Sequence, residues 1–227
     1  MMLHLEGVLT PDEVKQILTG LEGAPFIPGR EISGPGTAHI KHNMQLPAQN
    51  PVAQQLTSVL IVALDRSRAF KIAALPVRMT PPSFTHYGPG MGYGDHVDAG
   101  VMSHYMGATR SDLAATLFLT PPHNYEGGEL RIETGLGATM AKYPAGDLVL
   151  YPATTVHRVE PVRSGMRSVI IFWIQSQVRD AQRRRVLFDL ERVAVSLAAR
   201  PQDEQVQADR TTLSGVYQNL LREWAEL

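Results

Sequence analysis

Tyr87-Gly88-Pro89-Gly90-Met91-Gly92-Tyr93-Gly94-Asp95-His96-Val97-Asp98 sets the reading of the rest of the chain. Four glycines and one proline lead into His96-Val97-Asp98. A segment of that composition folds back tightly and carries few side chains that would block a small ligand. Residues 94–98 are expected to form a strand, on which positions i and i+2 project to the same face. The His96 imidazole and the Asp98 carboxylate can then share one metal ion. A His-x-Asp alone is weak evidence, because it arises often by chance as a polar pair at a strand end.

Outward from this stretch the pattern is one of short strands punctuated by turns. Residues 77–79, 83–87, 94–98, 113–119, 128–133, 139–143, 147–151, 155–162 and 167–175 are expected strands. Asn124-Tyr125-Glu126-Gly127-Gly128 and Pro144-Ala145-Gly146-Asp147 are expected turns. Strands at such spacing predict a sandwich or barrel, and a double-sheet jelly roll is the natural candidate. Helices flank this region. Thr10-Pro11-Asp12-Glu13 is a capping box followed by Val14, Ile17, Leu18 and Leu21 at helical spacing. Asn50-Pro51 starts a second helix, with Val52, Leu56, Val59, Leu60 and Ala63 on its buried face. After Val178 the helical period returns through Leu187, Leu190, Val193 and Leu197, and a last helix runs from about Thr211 to Trp224. The expected organisation is an N-terminal helical and extended segment (1–75), a jelly-roll domain (76–177) and C-terminal helices (178–227). The fold class is mainly β with flanking helices.

The bulk composition removes several function classes. The 227 residues are 44% hydrophobic with a net charge of -1, which fits a globular chain and gives no support to general nucleic-acid binding. Arg183-Arg184-Arg185 reads as a solvated helix face beside Asp180, Asp189 and Glu191 rather than as a nucleic-acid patch. The absence of cysteine excludes disulfides, thiolate zinc sites and cysteine nucleophiles. No apolar run is long enough to span a bilayer, and the N-terminal residues lack the pattern of a signal peptide, so a cytoplasmic protein without a membrane partner is expected.

Further residues add weight to His96 and Asp98. His157 lies in the apolar context Tyr151-Pro152-Ala153-Thr154-Thr155-Val156-His157, which would set it on a rigid wall. Two imidazoles and one carboxylate on one face of an octahedron form the facial triad of non-haem Fe(II) oxygenases, with open positions for O2 and substrates. Arg167 follows His157 across a Pro161-to-Gly165 turn, so two hairpin-paired strands are expected to hold them side by side. A buried guanidinium beside a metal needs an anionic partner. A diacid that chelates iron at one end and meets Arg167 at the other would be 2-oxoglutarate. Arginine's planar fork suits a carboxylate as lysine's ammonium does not.

These residues bring out a resemblance. Residues 78–176 resemble the Fe(II)/2-oxoglutarate dioxygenases of the prolyl/lysyl hydroxylase-like group, and the whole chain resembles the bacterial PKHD-type hydroxylases. The matching stretches are Tyr87 with His96-Val97-Asp98, Tyr125-Glu126-Gly127-Gly128-Glu129-Leu130 and Pro144-Ala145-Gly146-Asp147-Leu148-Val149-Leu150-Tyr151-Pro152. His157-Arg158-Val159, Arg167, Phe172-Trp173-Ile174-Gln175-Ser176 and the short Gln45-Leu46-Pro47 complete them. The resemblance implies a double-stranded β-helix, with Fe(II) on His96, Asp98 and His157. It also implies 2-oxoglutarate on Arg167 with Tyr87 as a hydrogen-bond partner, O2 as second co-substrate, and L-ascorbate as a candidate reductant. It implies hydroxylation of a primary substrate with release of succinate and CO2. That substrate would be a protein side chain, a peptide or a small siderophore-like molecule. Family members continue the His-x-Asp with an Asn-Ala-Ile-Arg type sequence; here Ala99-Gly100-Val101-Met102 stands at that substrate-facing lip. The presence of Asp98 argues against a halogenase of the same fold.

Other residues weigh less. Trp173 falls either near the pocket wall or in plain core. His4, His39, His42 and His123 have no ligand partner at useful spacing, and His86 should point away from Tyr87 across its strand. His104 lies in a stretch that could form a lid. The stripe on the last helix meets either this chain's own core or a second copy in a homodimer. The rival to an enzyme is a non-catalytic jelly-roll sensor of iron or 2-oxoglutarate acting through a protein partner; the intact set of His96, Asp98, His157 and Arg167 favours the enzyme.

Overall fold

The structure, a computed structural model, describes residues 2–34, 36–135, 137–201 and 203–226. Among the described residues two antiparallel sheets dominate, with five α-helices outside them. The larger, eight-stranded sheet runs in the order Leu3–Leu5, Leu148–Pro152, Leu113–Phe118, Arg167–Ser176, Ser83–Tyr87, Met44–Gln45, Ile27–Pro28, and Pro76–Met79 also pairs with Arg167–Ser176. The smaller sheet has the order Gly137–Ala141, Leu130–Thr134, His157–Val159, Gly92–His96, Lys41–His42. Small two-stranded pairings join Tyr125–Gly127 to Val162–Gly165 and Val101–His104 to Gly107–Arg110.

The central strand Arg167–Ser176 shows why the larger sheet is buried on both faces. Ile170, Phe172 and Ile174 belong to one apolar cluster, whereas Val169, Ile171 and Trp173 belong to another. Period-2 alternation thus sends even-numbered side chains outward to a helical layer and odd-numbered ones inward to the second sheet. A strand covered on both sides reads as an unbroken apolar run, as Val169-Ile170-Ile171-Phe172 does. The inner cluster includes Leu130, Ile132 and Val159 of the smaller sheet, so the two sheets face one another.

Helices α1 (Pro11–Leu21), α2 (Pro51–Arg66) and α3 (Arg68–Ala74) cover the outer face of the larger sheet with Ile17, Leu56, Leu60 and Phe70. The capping box on α1 is present: Thr10 Oγ1 accepts from Glu13 N, and the Glu13 carboxylate accepts from Thr10 N at 2.8 Å. Asn50 caps α2 ahead of Pro51. The short α3 was not expected. Ser67 makes it by acting twice: its N–H closes α2, and its hydroxyl accepts from Phe70 N. Two C-terminal helices follow, α4 (Ala181–Ala198), capped by Asp180, and α5 (Glu204–Trp224), capped by Asp203. Among the described residues no helix is long and apolar enough to cross a membrane.

The C-terminal pair does not lie on a sheet. Leu187 of α4 and Tyr217, Leu220, Leu221 and Trp224 of α5 pack around Leu75 and Val178. Glu226 closes the arrangement, its N–H bonded to Gln177 O at 2.7 Å and its carboxylate paired with Arg110 at 2.9 Å. Deletion of the residues after Arg200 is therefore expected to lower the melting temperature, since four large apolar side chains leave Leu75 and Val178 uncovered. Each contributes up to about 1.5–3 kcal/mol when fully buried and less here, where burial is partial. A truncated protein with an unchanged melting curve would show α5 to be a dispensable tail.

Candidate metal centre and its cavity

His96 and His157 meet because their strands pair: the two residues are direct partners in the register between Gly92–His96 and His157–Val159. Their side chains are 7% and 5% exposed, and that of Asp98 is 4% exposed. One ligand atom from each of the three lies within 4.8 Å of the others. Asp98 Oδ1 stands 4.0 Å from His96 Nε2 and 3.8 Å from His157 Nε2. The other nitrogen of each ring is taken up by backbone: His96 Nδ1 lies 2.8 Å from Gly94 O and His157 Nδ1 2.9 Å from Thr155 O. A carbonyl can only accept, so both rings carry their proton on Nδ1 and turn the Nε2 lone pair toward Asp98. Burial, with the neighbouring His157 ring, holds His96 down at about 4, so it stays neutral and able to ligate at neutral pH.

Asp98 sits differently from expectation. The strand ends at His96, and Asp98 follows in the irregular segment beyond it, so strand alternation does not account for its direction. That segment is instead tied down by Ser111, whose hydroxyl donates to Ala99 O and whose N–H donates to Gly100 O at 3.0 Å. Burial raises the Asp98 carboxyl above its ordinary value, opposed by His157. Its Oδ2 has no hydrogen-bond partner, and Trp173 Nε1, close by, has none either. A buried carboxylate with an unpartnered oxygen, beside two inward-facing imidazole lone pairs, is a donor set suited to a divalent cation.

A second correction concerns Arg167. It does not pair with His157 across a hairpin. Arg167 lies in the larger sheet and His157 in the smaller, and the intervening Val162–Gly165 pairs with Tyr125–Gly127 instead. Gly165, at φ +75°, is pressed so close to Asn124 O that a Cβ would fall 2.2 Å from it. The chain uses those ten residues to cross from one sheet to the other, so the two groups line the same cavity from opposite walls. Arg167 is 1% exposed, and its Nε and Nη1 have no hydrogen-bond partner. Tyr87 is its direct cross-strand neighbour, with the guanidinium 5.0 Å from the ring centre, and Phe118 flanks it at 5.6 Å. Gly128 makes room for it: a Cβ there would lie 3.1 Å from Arg167 Cδ.

The cavity measures about 500 Å³ and is lined by the three clustered residues, Tyr87, Arg167 and Trp173. His86 points away from it, stacked on Phe26, as alternation requires. His4 is structural, bonded to Asp147 at 2.7 Å and stacked on Tyr143. His104 bonds to Thr109 within the Val101–His104 hairpin, and it is Met102 of that hairpin that reaches the cavity. The departure at Ala99-Gly100-Val101-Met102 thus places a methionine on the wall.

Residues 32–34 and 36–48 were missed as a wall of the site. Lys41, Asn43 and Gln45 all line the cavity, and Asn43 Nδ2 donates to Tyr87 Oη at 3.0 Å. The usable signal was the period-2 run of polar side chains Lys41-x-Asn43-x-Gln45, which marks a strand with a polar inward face.

A family model described as the 2OG-Fe(II) oxygenase superfamily matches residues 82–175, and one described as the PKHD-type hydroxylase C-terminal domain matches residues 180–226. A solved Pseudomonas putida prolyl-4-hydroxylase is similar in fold, with a TM-score of 0.52 at 21% identity over 77% of this chain and 92% of its own. A Trichoplax adhaerens prolyl hydroxylase, solved with a hypoxia inducible factor oxygen degradation domain peptide fragment, gives 0.55 at 16% identity over 82% and 86%. A PKHD-type hydroxylase of Methylobacterium nodulans is 43% identical over 230 residues, covering 100% of both chains. Identity of that degree from end to end leaves one assignment: the chain belongs to the PKHD-type hydroxylases, within the 2OG-Fe(II) oxygenase superfamily.

Proposed function

We propose that this hydroxylase holds Fe(II) with His96, Asp98 and His157 and 2-oxoglutarate with Arg167 and Tyr87, and that the two sheets around them form a double-stranded β-helix. The observation that carries this reading is a three-ligand cluster sharing one cavity with a buried guanidinium whose Nε and Nη1 lack partners. Bound there, Fe(II) and 2-oxoglutarate supply an O2-dependent oxidation in which the keto acid becomes succinate and CO2 and one oxygen atom enters a substrate C–H bond.

The chain's own part is orientation and exclusion of water. The two Nδ1–H bonds fix both imidazoles before any ligand arrives. Arg167 receives the distal carboxylate of the diacid in a dry recess, where a charge-assisted pair is strong. Because the Tyr87 oxygen already accepts from Asn43, its own O–H is left to donate toward that carboxylate. Trp173, Ile171 and Tyr151 wall the cavity and keep bulk solvent from the reacting centre. A cytoplasmic setting, with Fe(II) and 2-oxoglutarate both at hand, suits such a site.

The test is succinate formation by purified protein given Fe(II), 2-oxoglutarate and O2, with L-ascorbate present to return oxidised iron to the ferrous state. Iron-dependent succinate is expected even without a primary substrate. A sensor would bind both ligands and form none, and that result would refute the reading.

A further inference from the structure

Lys41 and Gln45 line the cavity from two very short strands, Lys41–His42 and Met44–Gln45, and Asn43 lines it from between them. Two of the three have evident structural partners. Asn43 holds Tyr87, and Gln45 Nε2 donates to Ser83 Oγ at 2.7 Å. The Lys41 ammonium is bonded to a neutral group, Gln45 Oε1, at 3.0 Å, and lies 5.5 Å from the Tyr93 ring centre. Tyr93 in turn stacks on His96 at 3.7 Å, which places the ammonium at the metal side of the cavity. Among the described residues lining the cavity, Asp98 is the single carboxylate. Burial pulls the ammonium down to about 8, with Asp98 opposing.

Charge matching shows what this ammonium is for. A ferrous ion with the Asp98 carboxylate leaves one positive charge, and Arg167 adds a second. The two carboxylates of 2-oxoglutarate neutralise both. Lys41 lies outside that balance, and once the metal takes up the Asp98 charge a half-buried ammonium with no anion of its own is unfavourable. We propose that Lys41 recognises a carboxylate on the primary substrate, so that the substrate is a carboxylate-bearing molecule. This rests on the assignment of Fe(II) and 2-oxoglutarate made above. A single surplus positive charge suits a monoanion; a phosphate monoester, at about −1.5 to −2, would overfill it.

The proposal is tested by calorimetry on protein carrying Zn(II) in place of Fe(II) and N-oxalylglycine in place of 2-oxoglutarate. The probes are the monoanions acetate, hippurate and N-acetylalanine, each against its amide. At least one carboxylate should bind ten-fold or more tightly than its amide. Lys41→Met should remove that difference, and Lys41→Arg, which keeps the charge, should retain it within about three-fold. Unchanged N-oxalylglycine binding in Lys41→Met shows that its loss of discrimination is not a folding failure. Equal binding of every acid and amide, or binding of none, overturns the proposal. A ten-fold loss of N-oxalylglycine affinity in Lys41→Met also overturns it, because the ammonium would then serve the co-substrate. Failure of the wild-type protein to bind Zn(II) or N-oxalylglycine would instead strike the underlying assignment.

Discussion

Asp98→Ala is expected to emerge from desalting without iron and to form no iron-dependent succinate. In the proposed site three side chains would supply the whole protein share of the metal's coordination. Loss of a mere supporting hydrogen-bond partner typically weakens a metal site by about 10–100-fold, and loss of a ligand should exceed that. His96→Ala and His157→Ala should behave alike. The apo proteins should separate Asp98 from the histidines. Burial raises the Asp98 carboxyl, so its charged form is disfavoured in the folded state. The stability linked to that group is present below its unfolded value and is lost as pH rises through the raised folded value. At neutral pH the metal-free Asp98→Ala protein should therefore melt at or above the wild-type temperature while failing to hold iron. Iron content by elemental analysis, succinate formation and thermal melts read the three parts. Full activity in any of the variants would sink the triad.

Arg167→Ala should leave iron binding intact and weaken 2-oxoglutarate severely. Truncating one partner of a buried charged pair costs about 2–5 kcal/mol, or some thirty- to several-thousand-fold in affinity. The site gives no substitute: Tyr87 and Phe118 offer ring faces to the guanidinium, and no other arginine or lysine besides Lys41 lines the cavity among the described residues. Arg167→Lys should fall between, because one ammonium replaces a two-pronged contact. The apparent KM for 2-oxoglutarate in succinate formation and direct anaerobic titration both measure it. An unchanged affinity in Arg167→Ala would mean that the guanidinium does not face the co-substrate.

Sequence alone determined the parts governed by local rules. Thr10-Pro11-Asp12-Glu13 announces a helix because a capping box needs only residues three apart, and the box is there. Strand alternation separated His86 from Tyr87, and the side chains do point to opposite faces. His96, Asp98, His157 and Arg167 were legible as chemistry because the residue types that bind a metal and a diacid are few. What only the tertiary structure decided is how those groups face one another. His157 and Arg167, ten residues apart, belong to different sheets, since Gly165 and the Tyr125–Gly127 pairing carry the chain across. The segment that carries Asp98 is held by Ser111, which bonds the carbonyls of Ala99 and Gly100 from well along the chain. The wall built from Lys41, Asn43 and Gln45 shows in the sequence only as a short period-2 polar run, too brief to announce it, because strands of two residues draw their stability from the sheets they join and not from local propensity. Local sequence can specify a cap, a strand face or a ligand type; which walls enclose a cavity depends on pairings between distant segments, and those exist only once both sheets have formed.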